Sequence, residues 1–177
     1  EISGNEISSI QNVDTLDSPE WWNGDCDLVN YQAATGVASY RLGATYDGLV
    51  ACGPRPYTYP YPSDLNPGPI VEFFNNAWEE YEWQSVELAM RYLYIKYGIT
   101  PYQANGKDVV SNFKVYNPAS AFYVIWNGTA NKPPLPGDVI SFLSTSPAGH
   151  VAIVTSTNLD SHGNGKITVI EQNSLSN

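Results

Sequence analysis

Apolar and polar positions follow two different periods along this chain. Val86, Ala89, Met90, Leu93 and Tyr97 recur at the spacing of one helical face, and Gly98 followed by Pro101 supplies a stop. The residues between them are mostly good helix formers, so a helix is predicted over about 84–97. The last third changes period. "DVISFL" follows Pro136-Gly137, "HVAIVTS" follows Pro147-Ala148-Gly149, and "KITVIEQN" follows the turn "DSHGNG". Their Val and Ile content and short lengths predict antiparallel strands in a half-buried sheet. A helix followed by a strand meander is an α+β order rather than a doubly wound α/β one.

Upstream, "GVASYRLGATYDGLVACG" breaks into short apolar runs at Gly36, Gly43, Gly48 and Gly53, which predicts short strands or a twisted ribbon. "PRPYTYPYPSDLNPGP" (54–69) excludes a regular helix and predicts an extended loop, a surface segment or an aromatic wall beside a groove. Residues 1–20 read as a loosely docked arm, leaving 21–177 as one domain. Between helix and meander, a short helix is predicted near Ala119–Trp126. Asn127-Gly128-Thr129 fits a glycosylation sequon, a triplet common by chance.

Composition narrows the function classes. Apolar residues form 42% of the chain and charged ones 15%, which excludes wholesale disorder. A net charge of −10 with only 8 Lys plus Arg gives a nucleic-acid backbone no broad basic surface. It equally disfavours electrostatic docking on an anionic membrane, and no apolar run is long enough to span one. The start "EISGNEISSIQNVD" lacks the charged-then-apolar order of a signal peptide.

Cys26 and Cys52 are the only cysteines, and with two histidines they do not make a zinc pattern. Either they form a disulfide, stabilising by roughly 3 kcal/mol in the chain-entropy model, or they are two buried thiols. A disulfide implies work outside a reducing cytosol.

Polar groups at the ends of three predicted elements are the candidates for chemistry. Ser85 starts the helix, His150 opens "HVAIV", and Glu171 and Asn173 close "ITVIEQN". A nucleophile at a helix N-terminus gains from unpaired N–H groups and the helix dipole, which lower a thiol's pKa and stabilise an oxyanion. A neighbouring His can act as base, and Glu171 and Asn173, two apart on one strand, can both face it. Singly, each has a plain structural reading: Ser85 as an N-cap, His150 as a turn residue, Glu171 and Asn173 as a polar strand end. His162, in a glycine-rich turn, reads as a solvent-exposed loop residue.

The blocks "YEWQSVELAMRYLYIKYGI", "LPGDVISF", "GHVAIVTS" and "ITVIEQN", in this order, resemble the CHAP family of cysteine, histidine-dependent amidohydrolases and peptidases. With the upstream "LGATYDGLVACG" the likeness covers about residues 40–173. It resembles particularly the branch containing glutathionylspermidine amidases and bacterial wall hydrolases. The resemblance implies a papain-like plan, with an N-terminal catalytic helix packed on an antiparallel sheet. The position after "WQ", which holds the family's cysteine nucleophile, is Ser85. His150 matches the catalytic histidine, and Glu171, with Asn173 beyond it, matches the acidic residue. Gln84 is a weaker candidate for the oxyanion site, by adjacency.

The implied function is a secreted or wall-associated amidase or peptidase acting through an acyl-enzyme on peptidoglycan or peptide, without cofactor or metal. Asp17, Asp25 and Asp27 lack the spacing of the calcium loop in many wall-lytic relatives. The family's sheet usually continues past the "EQN" strand, whereas four residues follow Asn173 here. A hydroxyl is far less acidic than a thiol, so Ser85 reads as a replacement of the cysteine that silences the enzyme. The alternatives are an inactive peptidoglycan- or peptide-binding module, a working serine amidase, and an intracellular amidase acting on a glutathione–polyamine conjugate.

Overall fold

A short hairpin, a central helix and a three-stranded meander form the framework of the computed structural model, which describes residues 26, 40–53, 70–72, 79–81 and 83–173. The expected arm over 1–20, the proline-rich loop and Asp17, Asp25 and Asp27 lie outside the described residues. The architecture is α+β with antiparallel sheets.

Strands β1 (Tyr40–Tyr46) and β2 (Leu49–Gly53) are joined by Asp47-Gly48. Both turn residues have positive φ, 48° and 80°, which matches the right-handed twist of a two-residue hairpin. The register shifts between Arg41 and Thr45, around Gly43 at φ 91°. β2 is buried on both faces. Leu49 and Ala51 join one apolar cluster, while Val50 and Cys52 join another with Cys26 and Trp83. The expected disulfide is present: Cys26 and Cys52 are bonded, with Cα atoms 5.5 Å apart. A short antiparallel pair, β3 (Ile70–Glu72) and β4 (Glu79–Tyr81), precedes the central helix.

Helix α1 (Ser85–Tyr97) occupies the predicted segment. It ends at Gly98, whose left-handed backbone (φ 64°) lets its N–H and that of Ile99 reach the carbonyls of Tyr94 and Leu93. Ser85 is not the N-cap. Gln84 holds that position with extended backbone and no side-chain cap, so Ser85 is the first helical residue and its hydroxyl has no capping role. All nine residues from Ser85 to Leu93 are buried, because neighbours cover the helix on more than one side. Val86, Ala89 and Met90 pack with Val151, Val109 and Phe113. Leu88 and Tyr92 pack with Leu49, Ala51, Ile153 and Ile170. Full burial of a Leu or Ile side chain is worth about 1.5–3 kcal/mol, so these contacts hold the helix start against the strands.

The second helix is not where the sequence predicted it. A 3₁₀ turn at Gly106–Asp108 leads into α2 (Val109–Tyr116), whereas residues 119–126 are irregular. Val109 and Phe113, four apart, give α2 its buried face. Pro118 lacks an N–H and forbids helical geometry at Asn117, so the helix stops there. The five apolar residues Phe122–Trp126 run consecutively, a pattern that cannot place them on one helical face. Tyr123 and Trp126 are largely exposed, and Phe122 turns its ring edge onto Tyr97, centroids 4.8 Å apart.

Strands β5 (Val139–Phe142), β6 (His150–Leu159) and β7 (Gly165–Ile170) form the predicted meander, in the order β5-β6-β7. Phe142 pairs with His150 and Ile153 with Ile170, which brings the first residue of β6 and the last of β7 towards one end of the sheet. His162 lies exposed in the β6–β7 turn, where the Asp160 carboxylate accepts N–H bonds from His162 and Asn164.

Candidate active site

The chain enters α1 through a strained residue. Trp83 has φ 59°, a left-handed conformation unfavourable for a bulky side chain. Its ring is fully buried in the cluster containing Cys26 and Cys52, which compensates that cost. The turn it makes sets Ser85 at the start of α1, with 6% of its surface exposed. There the first N–H groups of the helix have no intrahelical acceptor, so the local field favours a negative charge.

His150 is placed by two glycines. Gly149 sits at φ 67°, and a Cβ there would come within 2.8 Å of the Phe142 carbonyl oxygen. A Cβ on Gly106 would lie 2.8–3.0 Å from the His150 backbone, so the 3₁₀ turn packs on β6 at that point. The imidazole is buried, with the Phe142 ring edge-on at 5.4 Å between centroids. Its Nε2 lies 3.1 Å from Glu171 Oε2. The contact lacks hydrogen-bond alignment, leaving the buried Nε2 without a directed partner. The carboxylate attracts the imidazole as an ion pair only when the ring is protonated. Burial lowers the His150 pKa, and the Glu171 carboxylate opposes that shift in part. The ring is therefore neutral near pH 7, the state required of a general base.

Asn173 takes another direction. At φ 54°, its Nδ2 donates to Gln84 Oε1 at 2.7 Å. Among the described residues, Asn173 makes no hydrogen bond to His150, and Ser85 makes none either. Of the two residues expected to face the imidazole, Glu171 thus touches it, while Asn173 reaches the residue before Ser85.

Sequence reasoning passed over Gln172, Glu87 and Arg91. Gln172 lies between Glu171 and Asn173 and points inward, 1% exposed. Its Nε2 donates to Gln84 O at 2.8 Å and Glu87 Oε2 at 2.5 Å, and its Oε1 accepts the Cys52 N–H at 3.0 Å. Glu87 also accepts from Arg91 Nε at 2.6 Å, and Arg91 Nη1 donates to Val50 O at 2.9 Å. The i,i+4 Glu-Arg spacing carried the signal of the ion pair, whereas Gln172 lies beyond the end of β7, where strand periodicity no longer applies. No cluster of three or more potential metal-ligating side chains occurs among the described residues, and none of their helices is long and apolar enough to cross a membrane.

An α+β unit that gathers a helix start, a His-Glu contact and a strand end is the class defined by this fold and site. The chain belongs to the CHAP domain family, whose model matches residues 76–173, more than half of its length and a span that contains the five candidate positions. CHAP domains are typically hydrolases, amidases or peptidases, acting on peptidoglycan or peptide substrates. The matched span begins after the β1–β2 hairpin and the disulfide. No curated protein and no solved structure matches the chain.

Proposed function

We propose that this domain is built for amide hydrolysis in peptidoglycan or a related peptide, with position 85 as the nucleophile site and His150 as the base. The single observation that carries this reading is the 3.1 Å contact between buried His150 and half-buried Glu171, in a chain of the CHAP family. The papain-like plan, nucleophile on the helix and base on the sheet, is supported by the burial of Leu88 and Tyr92 against Ile153 and Ile170.

In this scheme Nδ1 of the neutral imidazole takes the proton from residue 85, and the Glu171 carboxylate beside Nε2 stabilises the imidazolium that forms. The heteroatom of residue 85 bonds to the substrate carbonyl carbon, and the carbonyl oxygen becomes an oxyanion beside the N–H groups of the α1 N-terminus. The Asn173–Gln84 bond holds the Gln84 carboxamide by its oxygen beside residue 85, where Gln84 is a weaker oxyanion candidate by adjacency. Collapse breaks the C–N bond, His150 returns the proton to the leaving amine, and water hydrolyses the acyl-enzyme by the same route.

Ser85 stands where the family uses cysteine. A hydroxyl forms no anion in the field that yields a thiolate, so the chain as it stands has the geometry of the enzyme and little of its turnover. The Cys26–Cys52 disulfide supports work outside a reducing cytosol, and disfavours the intracellular glutathione–polyamine amidase. Ser85→Cys tests the reading, with mass analysis of digested peptidoglycan and peptide amides. New cleavage products are expected. Their absence on every substrate, together with binding of wall fragments by the chain as it stands, would instead establish a binding module.

A further inference from the structure

Gln172 lies between two residues of the site and is itself withdrawn from it. Its carboxamide uses both ends at once. Oε1 is taken by the Cys52 N–H of β2, and Nε2 bridges the Gln84 carbonyl and the Glu87 carboxylate of α1. These partners belong to the hairpin, the residue before Ser85 and the first turn of the helix. The flanking residues reach in different directions: Glu171 contacts His150 and Asn173 donates to Gln84. Beyond Ile170 the chain leaves the β6–β7 ladder, so no further pairing with β6 holds residues 171–173.

We propose that Gln172 is a positioning residue that locks the Glu171–Asn173 segment to the start of α1, setting the distance between the His150–Glu171 pair and the nucleophile position. The proposal rests on the function proposed above. A carboxamide suits this place because a donor and an acceptor are needed within one planar group. Its two donor hydrogens meet the Gln84 carbonyl and the Glu87 side-chain oxygen. A carboxylate at 172 would face Glu87 with like charge, and an apolar side chain would leave the Cys52 N–H and Gln84 carbonyl unpaired.

The experiment reads the thiol introduced by Ser85→Cys through its iodoacetamide alkylation rate across pH. No substrate is needed, and Cys26 and Cys52 are closed in their disulfide. With Gln172 intact, the alkylation midpoint is expected well below the usual free-thiol value of about 8.5. Adding Gln172→Met is expected to move the midpoint up and slow alkylation at pH 6 by about tenfold or more. An ordinary thiol profile with Gln172 intact would overturn both this proposal and the hydrolase reading. A lowered midpoint that Gln172→Met leaves in place, with only a lower melting temperature, would overturn this proposal alone.

Should Gln172→Met not fold, Gln172→Asn keeps the amide on a side chain one methylene shorter, and the same shift is expected. In the unsubstituted protein, the Gln172 side-chain NH₂ protons are expected to exchange slowly with solvent. Exchange at the rate of a free amide would remove the lock.

Discussion

His150 Nε2 and Glu171 Oε2 lie 3.1 Å apart, joining the first residue of β6 to the residue that follows β7. Burial lowers the imidazole pKa, and this carboxylate is the influence that holds it up. Replacing Glu171 by Gln removes the charge at nearly constant volume. The His150 pKa is then expected to fall further, read by NMR titration of the imidazole in the chain with Ser85. A rise would mean that the substitution opens the site to water.

The same shift carries a pH dependence of stability. The folded pKa of His150 lies below its unfolded value of about 6.5. Between the two, the unfolded chain binds more protons, so stability rises with pH there and falls on acidification. The contribution is present above about pH 6.5 and lost as pH drops towards the folded value. Urea midpoints measured from pH 7.5 downward are expected to decline in that window. His150→Gln is expected to flatten the decline there, and an unchanged slope would sink the assignment.

Gly106 supports the base by having no side chain. A Cβ at this position would meet the Cα, C and N atoms of His150 at 2.8–3.0 Å, and backbone atoms cannot rotate aside. Gly106→Ala is expected to destabilise by about 1–3 kcal/mol, the usual cost of forcing extra volume into a packed site. In the Ser85→Cys background it is also expected to slow alkylation of the new thiol. A neutral melting temperature would contradict the close packing.

Glu87 and Arg91 are fully buried and bonded to each other. Arg91→Met leaves a carboxylate without its charged partner, and about 3–5 kcal/mol of stability is expected to be lost. Adding Glu87→Gln removes the stranded charge and is expected to restore a large part of that loss. Denaturant titration of the two single variants and the double gives the coupling directly, and additive effects would disprove it.

The Cys26–Cys52 bond spans a sequence separation of 26, which constrains the unfolded chain by ~3 kcal/mol. Cys52 also donates its N–H to Gln172, so β2 must stay ordered for that contact to form. Thermal unfolding with and without reductant should differ accordingly. A reductant-independent midpoint would show that the hairpin holds without the bond.

Much of this architecture was legible before folding. Apolar spacing and Gly98 located α1, and the β-branched runs after Pro136-Gly137 and Gly149 located the meander, because these signals are local. The missed helix α2 had its own signal in Val109, Phe113 and the Asn117-Pro118 stop, obscured by the denser apolar run that follows it.

The sequence by itself determined which residues stand at element ends and hence which polar groups are candidates for the site: Ser85, His150, Glu171 and Asn173. Periodicity says which face a side chain takes, not what lies across from it. Only the tertiary structure decided that Asn173 pairs with Gln84, 89 positions away, that Gln172 turns inward to Cys52, 120 positions away, and that Glu87 and Arg91 are buried together. These contacts form when β2, α1 and the end of β7 pack against one another. Buried polar atoms must then find partners among whatever groups that packing brings within reach.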